Sequence, residues 1–192
     1  MSTFQPFNME RYMSAYEQDV KYNLSESGVH PMLLSELLEL KNGSLDELLA
    51  TDINYAHANG RPELRENIAK MYDGATADNV LVTVGAIEAN FNSLRTVLNK
   101  GDEVVIQFPN YMQVWGVAKN HDYSIKTFSL LEEKSWVPDL DTLENMVTDK
   151  TKLIAICNPN NPTGRIFRED EMDAVIRIAD KAGAWILADE VY

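Results

Sequence analysis

The sequence has almost no cysteine and no long apolar run. Cys157 is the only cysteine in 192 residues, so an internal disulfide is excluded, and without neighbouring Cys or His ligands we predict no metal site. We interpret Cys157 as a small buried hydrophobe at a strand end. The longest apolar stretches have strand length, and the first residues lack a signal-peptide pattern, so we expect a soluble, cytoplasmic protein.

Basic residues are also scarce. There are 17 Lys and Arg against 30 Asp and Glu, which gives a net charge of -13. A chain with this charge repels phosphate backbones and anionic lipid surfaces. We therefore predict no nucleic-acid partner and no membrane partner. The 45% hydrophobic fraction is ordinary for a globular protein.

Short β-branched runs alternate with amphipathic stretches from Val80 onward. The runs predict five strands, at residues 80–84, 103–106, 123–128, 152–156 and 184–188. Apolar residues at helical spacing predict helices at 33–40, at 63–72, from 87 to an end at Gly101, and from 172 to an end before Gly183. The alternation of strand and helix predicts a largely parallel α/β sheet.

Ligands bind at the carboxyl ends of the strands in such sheets, so the residues that follow each strand are the candidates for a site. After the first predicted strand, Gly85, Ala86 and Ile87 open a helix with small residues. Free main-chain N–H groups and the helix dipole favour a phosphate there. A glycine that serves only to turn the chain explains this segment equally well.

The ends of three further strands carry an aromatic ring, an amide and a carboxylate. Tyr111 can stack on a planar ligand or pack in the core. Asn161 lies in a loop with two Asn-Pro steps, at 158–159 and 161–162, which can hold side chains in defined positions. Asp189 directly follows an apolar run, where a carboxylate is costly unless a cation pairs with it. An ordinary surface position for Asp189 is the alternative. The four strand ends together, however, supply groups that fit a single ligand, which favours one shared site.

Two motifs in these loops resemble the signatures of the fold-type I, class I/II aminotransferases. They are Asn161-Pro162-Thr163-Gly164 and the segment from Ala188 to Tyr192, and with matches at 83–86 and 55–65 the resemblance covers nearly the whole chain. It implies a mostly parallel sheet with helices on both faces and pyridoxal phosphate (PLP) as cofactor. Residues 1–35 would form an N-terminal arm and small-domain segment. Residues 36–192 would be the N-terminal part of the large domain, truncated before its remainder and the C-terminal small domain.

The resemblance assigns roles around the cofactor ring to four residues. Tyr111 would stack on the ring, and Asn161 and Tyr192 would hydrogen-bond its 3-oxygen. Asp189 would pair with the pyridine nitrogen and keep it protonated.

The resemblance assigns contacts with the cofactor phosphate or with the substrate to five other residues. Gly85, Ala86 and Ile87 would bind the phosphate, with Ile87 contributing only its main chain. Tyr55 would reach the phosphate of the neighbouring subunit, which implies a homodimer. Gly28 would line the substrate pocket.

The Schiff-base lysine of this family is expected beyond Tyr192, so the resemblance implies no catalytic residue within this chain and an inactive fragment. The complete protein would transfer an amino group between an amino acid and a 2-oxo acid in amino acid metabolism. Two alternatives stay open: another PLP reaction, such as a lyase reaction, a β- or γ-elimination or a cyclisation, and a non-catalytic module that binds PLP or another ligand on the same fold.

Overall fold

The computed structural model describes residues 4–192, which divide into two units. One unit contains the described residues up to Leu24 together with Val84–Tyr192, and the other is Ser25–Thr83. The division into a segment 1–35 and a large-domain part 36–192 concerns the complete protein and stays a prediction.

A five-stranded sheet forms the centre of the first unit. Three of the four pairings between neighbouring strands are parallel. The pairing of Ser124–Leu131 with Val137–Pro138 is antiparallel, so the sheet is mostly parallel, as predicted. Four of the five predicted strands are confirmed. In chain order the strands are β1 (Glu103–Phe108), β2 (Ser124–Leu131), β3 (Val137–Pro138), β4 (Thr151–Cys157) and β5 (Trp185–Asp189), and their spatial order is β3-β2-β1-β4-β5.

The prediction of a strand at 80–84 was wrong. The backbone of Val80 is extended, but this segment forms no ladder with any described strand. One hydrogen bond, from the N–H of Val82 to the carbonyl oxygen of Asn59, ties it to a loop at 3.0 Å. High β-propensity makes a strand only where a partner backbone takes up the N–H and C=O groups.

Eight α-helices occur among residues 4–192, and the four predicted ones are among them. Pro62 begins one of these, and Gly183, with a left-handed φ of 65°, ends the last. The helices are α1 (Asn8–Tyr16), α2 (Leu34–Lys41), α3 (Leu45–Leu49), α4 (Pro62–Ala69), α5 (Gly85–Val97), α6 (Gln113–Asn120), α7 (Leu140–Met146) and α8 (Glu169–Ala182).

Two hydrophobic clusters lie on opposite faces of the sheet. Val104 and Ile106 of β1 pack with side chains of α5 and α6, whereas Val105 between them packs with side chains of α7 and α8. All three are buried. This alternation is the period-2 pattern of a strand with both faces covered, and it confirms helices on both faces. None of the helices among the described residues is long and apolar enough to cross a membrane.

Candidate active site

Three neighbouring parallel strands end at one edge of the sheet, and hydrogen bonds join the segments at their ends. The N–H of Asn158, after β4, donates to the carbonyl oxygen of Asp189 in β5 at 3.0 Å. Asn160 Nδ2 donates to the carbonyl oxygen of Pro109, after β1, at 3.1 Å. The candidate residues on these loops therefore share one end of the sheet, as the rule for parallel sheets predicts.

Asp189 is the last residue of β5, and it is 8% exposed. Its Oδ2 accepts a 2.9 Å hydrogen bond from Asn90 Nδ2 of α5. Its Oδ1 is buried and has no hydrogen-bond partner among residues 4–192. A carboxylate oxygen without a donor is costly to bury. This oxygen therefore fits a ligand with a cationic N–H group, such as the protonated ring nitrogen that the resemblance places here.

The sequence reasoning missed Asn90 and its neighbour Gln113. Asn90 Nδ2 also donates to Gln113 Oε1 at 3.2 Å, and both residues are buried. A signal was present, because Asn90 falls at helical spacing between Ile87 and Leu94, on the face of α5 that the apolar pattern assigns to the core. A polar residue on such a face needs a buried partner.

The loop after β4 holds its amide side chains in two different ways. Asn160 is 3% exposed, and its Oδ1 accepts from the N–H of Thr163 at 3.2 Å and from its hydroxyl at 2.6 Å. Asn161 is only half-buried, and its Nδ2 lies 3.4 Å from the phenol oxygen of Tyr192. The Asn158-Pro159 and Asn161-Pro162 bonds are both cis. Asn160 thus stabilises the loop, while Asn161 and Tyr192 lie together where a ligand can reach them.

Tyr111 follows β1 and contacts α1. Its phenol donates a 2.6 Å hydrogen bond to Glu10 Oε1, and its ring lies 5.2 Å from the ring of Phe7. Burial, and then the carboxylate of Glu10, raise the pKa of Tyr111 well above its usual range, with further contributions in the same direction from Asp189 and Tyr192. The side chain is therefore a neutral phenol. Glu10 was also missed, because nothing in its local sequence marks a partner 101 positions away.

The first turn of α5 is the candidate site for the cofactor phosphate. Gly85, with a left-handed φ of 76°, begins the helix, and the Val84 N–H before it donates to Glu88 Oε2 at 2.6 Å. Ala86 and Ile87 are exposed. Because N–H groups in a first turn have no acceptor within the helix, this end of α5 is suited to phosphate.

The two remaining candidates, Gly28 and Tyr55, lie in the Ser25–Thr83 unit. The Gly28 N–H donates to Glu26 Oε1 at 2.6 Å. Tyr55 is fully exposed. Their roles towards substrate and phosphate stay predictions.

Cys157 is buried at the end of β4, as predicted. Burial raises the pKa of its thiol. The Sγ donates to the carbonyl oxygen of Pro159 at 3.3 Å, so it packs as part of the loop. Within residues 4–192 no group of three or more His, Cys, Asp or Glu side chains is arranged to hold a metal ion.

The family described as Aminotransferase class I and II matches the chain over residues 45–192. A probable aspartate aminotransferase of Methanocaldococcus jannaschii is 34% identical in an alignment of 161 residues that covers 81% of this chain and 42% of that protein. The chain spans about two fifths of the length of the curated relatives that it matches.

Solved structures share the fold. A PLP-dependent aminotransferase from Streptococcus suis superposes with a TM-score of 0.93 and 29% identity, over 99% of this chain and 52% of that one. The PLP-dependent cyclase OrfR superposes with a TM-score of 0.86 and 26% identity, over 96% of this chain and 48% of that one. The mostly parallel sheet with helices on both faces is thus the fold of proteins with two different reactions.

Proposed function

The chain belongs to the aminotransferase class I and II family, and from this premise we propose that the complete protein uses PLP to transfer an amino group between an amino acid and a 2-oxo acid. The buried, unpaired Oδ1 of Asp189 is the observation that carries the proposal. A protonated ring nitrogen would offset the cost of that carboxylate. Bound there, PLP supplies an electron-accepting ring that stabilises negative charge at the substrate Cα.

Four side chains hold and orient the ring in this proposal. Asp189 keeps the proton on the ring nitrogen, because a carboxylate at hydrogen-bond distance favours the charged form of its partner. Tyr111 stacks on the ring while its phenol stays bound to Glu10. Asn161 and Tyr192 donate to the 3-oxygen, and the 3.4 Å distance between their polar atoms supports a shared acceptor.

The first turn of α5 binds the phosphate through its main chain. Gly85 lets the chain enter the helix in a left-handed conformation, and Ala86 and Ile87 present N–H groups at the positive end of the helix dipole. The apolar side chain of Ile87 adds no hydrogen bond. We propose that further phosphate ligands follow Tyr192 in the complete protein.

We also propose a homodimer in which Tyr55 reaches the phosphate of the neighbouring subunit. Its full exposure supports this role. Among the described side chains of Ser25–Thr83, Ala69 is the only buried apolar residue, and several leucines there are exposed. Large exposed apolar surfaces are typical of interaction sites. Gly28, in the same unit, is proposed to line the substrate pocket.

The Schiff-base lysine is proposed to lie beyond Tyr192. We therefore expect residues 1–192 alone to be inactive. An amino acid and a 2-oxo acid are the proposed substrates of the complete protein, and a cytoplasmic location stays a prediction.

The proposal is tested by isotope transfer. The complete protein is incubated with PLP, a panel of ¹⁵N-labelled amino acids and unlabelled 2-oxo acids, and mass spectrometry follows the label. We expect the label to appear in the amino acid formed from the 2-oxo acid. Asp189→Asn should lower the rate on the order of a hundredfold, whereas Asp180→Asn, on the exposed side of α8, should not change it.

A cyclisation is the second candidate function, and the similarity to the cyclase OrfR favours it. In that case the product would keep its own nitrogen, and no label would reach the 2-oxo acid. PLP binding without turnover of any amino acid would favour the non-catalytic module. Failure of the wild-type protein to bind PLP would overturn the cofactor and, with it, both the amino-group transfer and the cyclisation.

A further inference from the structure

Two buried amide side chains connect Asp189 to the first turn of α5. Asn90 Nδ2 donates to Asp189 Oδ2 at 2.9 Å and to Gln113 Oε1 at 3.2 Å. Gln113 Nε2 in turn donates to the carbonyl oxygen of Ile87. The chain of contacts therefore runs from the proposed ring anchor to the proposed phosphate anchor.

The contact with Ile87 sets the direction of every hydrogen bond in this chain. A carbonyl oxygen only accepts, so Gln113 must turn its NH₂ group towards Ile87 and its oxygen towards Asn90. Asn90 must then present its NH₂ group, which has two hydrogens, to Gln113 and to Asp189. A flipped amide would oppose oxygen to oxygen. The network therefore holds the NH₂ group of Asn90 as the donor to Oδ2 of Asp189.

The network also leaves Oδ1 as the carboxylate oxygen that has no hydrogen-bond partner among residues 4–192. Asn90 and Gln113 are 7% and 6% exposed, so water does not compete strongly for their hydrogen bonds. With Oδ2 held, the carboxyl group cannot turn without breaking a buried hydrogen bond to a charged group, which is among the stronger kinds. A side chain that served packing alone would not need this polarity.

We propose that Asn90 and Gln113 are positioning residues: they aim Oδ1 of Asp189 at the ring nitrogen of the cofactor and fix its distance from the first turn of α5. This inference rests on the proposed function, because it takes the ring nitrogen as the partner of Asp189. It predicts that loss of Asn90 lowers the affinity for a ligand that has the ring nitrogen, and not for a ligand that has carbon in its place.

The test compares two ligands on the complete protein. One is PLP, and the other is its analogue with carbon in place of the ring nitrogen, which keeps the aldehyde and the phosphate. Dissociation constants are measured by absorbance for wild type, Asn90→Ala and the control Asn92→Ala. Asn92 is on the same helix and takes no part in the network.

We expect Asn90→Ala to weaken PLP roughly tenfold, as for the loss of a hydrogen bond to a charged group, and to leave the affinity for the carbon analogue at the wild-type value. Asn92→Ala should change neither. Equal losses for the two ligands would mean that Asn90 only stabilises the fold, and no loss for PLP would mean that it has no role. Either result overturns the inference while PLP binding by wild type preserves the proposed function.

A second variant covers the case in which Asn90→Ala does not fold. Gln113→Leu has a similar volume but can neither donate to the carbonyl oxygen of Ile87 nor accept from Asn90. It should also weaken PLP more than the carbon analogue, because nothing then fixes which end of the Asn90 amide faces Asp189, although Asn90 itself is kept. Wild-type protein that binds neither ligand would overturn the inference and the proposed function together.

Discussion

The phenol of Tyr111 donates a 2.6 Å hydrogen bond to Glu10 Oε1, which joins the loop after β1 to α1. Both side chains are half-buried. The bond couples two segments that are 101 positions apart. Tyr111 is also the proposed stacking partner of the cofactor ring. In that proposal α1 would help to position the phenol ring of Tyr111.

A double-mutant cycle measures this bond. Tyr111→Phe and Glu10→Ala should each lower the free energy of unfolding, and the double variant should lose less than the sum. We expect a coupling of about 1 kcal/mol, because one partner is charged and both are partly exposed. Urea unfolding of the complete protein gives the values. Tyr16→Phe is the control, because Tyr16 is exposed on α1 and should be additive with Glu10→Ala; additivity of Tyr111 and Glu10 would contradict the bond.

The same bond predicts a dependence of stability on alkaline pH. Burial and Glu10 raise the pKa of Tyr111 in the folded protein, whereas an unfolded tyrosine titrates near ~10. Above that pH the unfolded state binds fewer protons than the folded state, so the stabilisation is present below it and is lost as the pH rises. The unfolding free energy of wild type should therefore fall more steeply above pH ~10 than that of Tyr111→Phe. Tyr16→Phe should follow wild type.

The end-of-strand rule located most of the candidate site because it needs only local information. An apolar run identifies β5, and the residue that closes the run, Asp189, must lie at the carboxyl edge of a parallel sheet. The same logic located Asn161 and Tyr111. Their approximate positions follow from the order of the strands, without knowledge of any side-chain contact.

The partners of these residues could not be predicted, because each is distant along the chain. Asn90 and Asp189 are 99 positions apart, and no local pattern pairs them. The wrong strand at 80–84 has a related cause, because Val80 and Val82 favour an extended backbone but a ladder depends on a neighbour that propensity does not supply. Both outcomes depend on contacts between residues that are not neighbours in the sequence.

An ion pair at the other edge of the sheet predicts a loss of stability in acid. Burial acts to raise the pKa of Glu103, but its hydrogen bonds with Lys126, at 2.7 Å, and with Thr151 outweigh burial and leave the pKa below its usual value. This stabilisation is present above the unfolded value of ~4.3 and is lost as the pH falls through the folded pKa.

Glu103→Gln should therefore cost about 1.5–3 kcal/mol at neutral pH and less in acid, as measured by urea unfolding across the pH range. Glu144→Gln is the matched control, because Glu144 and Lys181 form an exposed pair at 3.6 Å, which contributes little. PLP affinity should stay unchanged in both variants, since Glu103 begins β1 at the edge opposite the candidate site. An equal cost of Glu103→Gln at all pH values would exclude the carboxylate as the cause.

Substitution by alanine should have opposite effects on stability at Gly85 and at Gly116. A Cβ at either position would meet no atom within 4 Å, so the difference lies in the backbone. Gly85 has a φ of 76°, where alanine costs about 1–2 kcal/mol, whereas Gly116 is inside α6, where alanine stabilises by about 0.5–1 kcal/mol.

Gly85→Ala should thus lower the free energy of unfolding and Gly116→Ala should raise it. Gly85→Ala should also weaken PLP, because the strain is relieved by moving the N–H groups of the first turn of α5 away from the phosphate. Urea unfolding and PLP titration of the same two samples separate the effects. Weaker PLP binding in both variants would contradict a phosphate site at Gly85, since Gly116→Ala leaves that turn as it is.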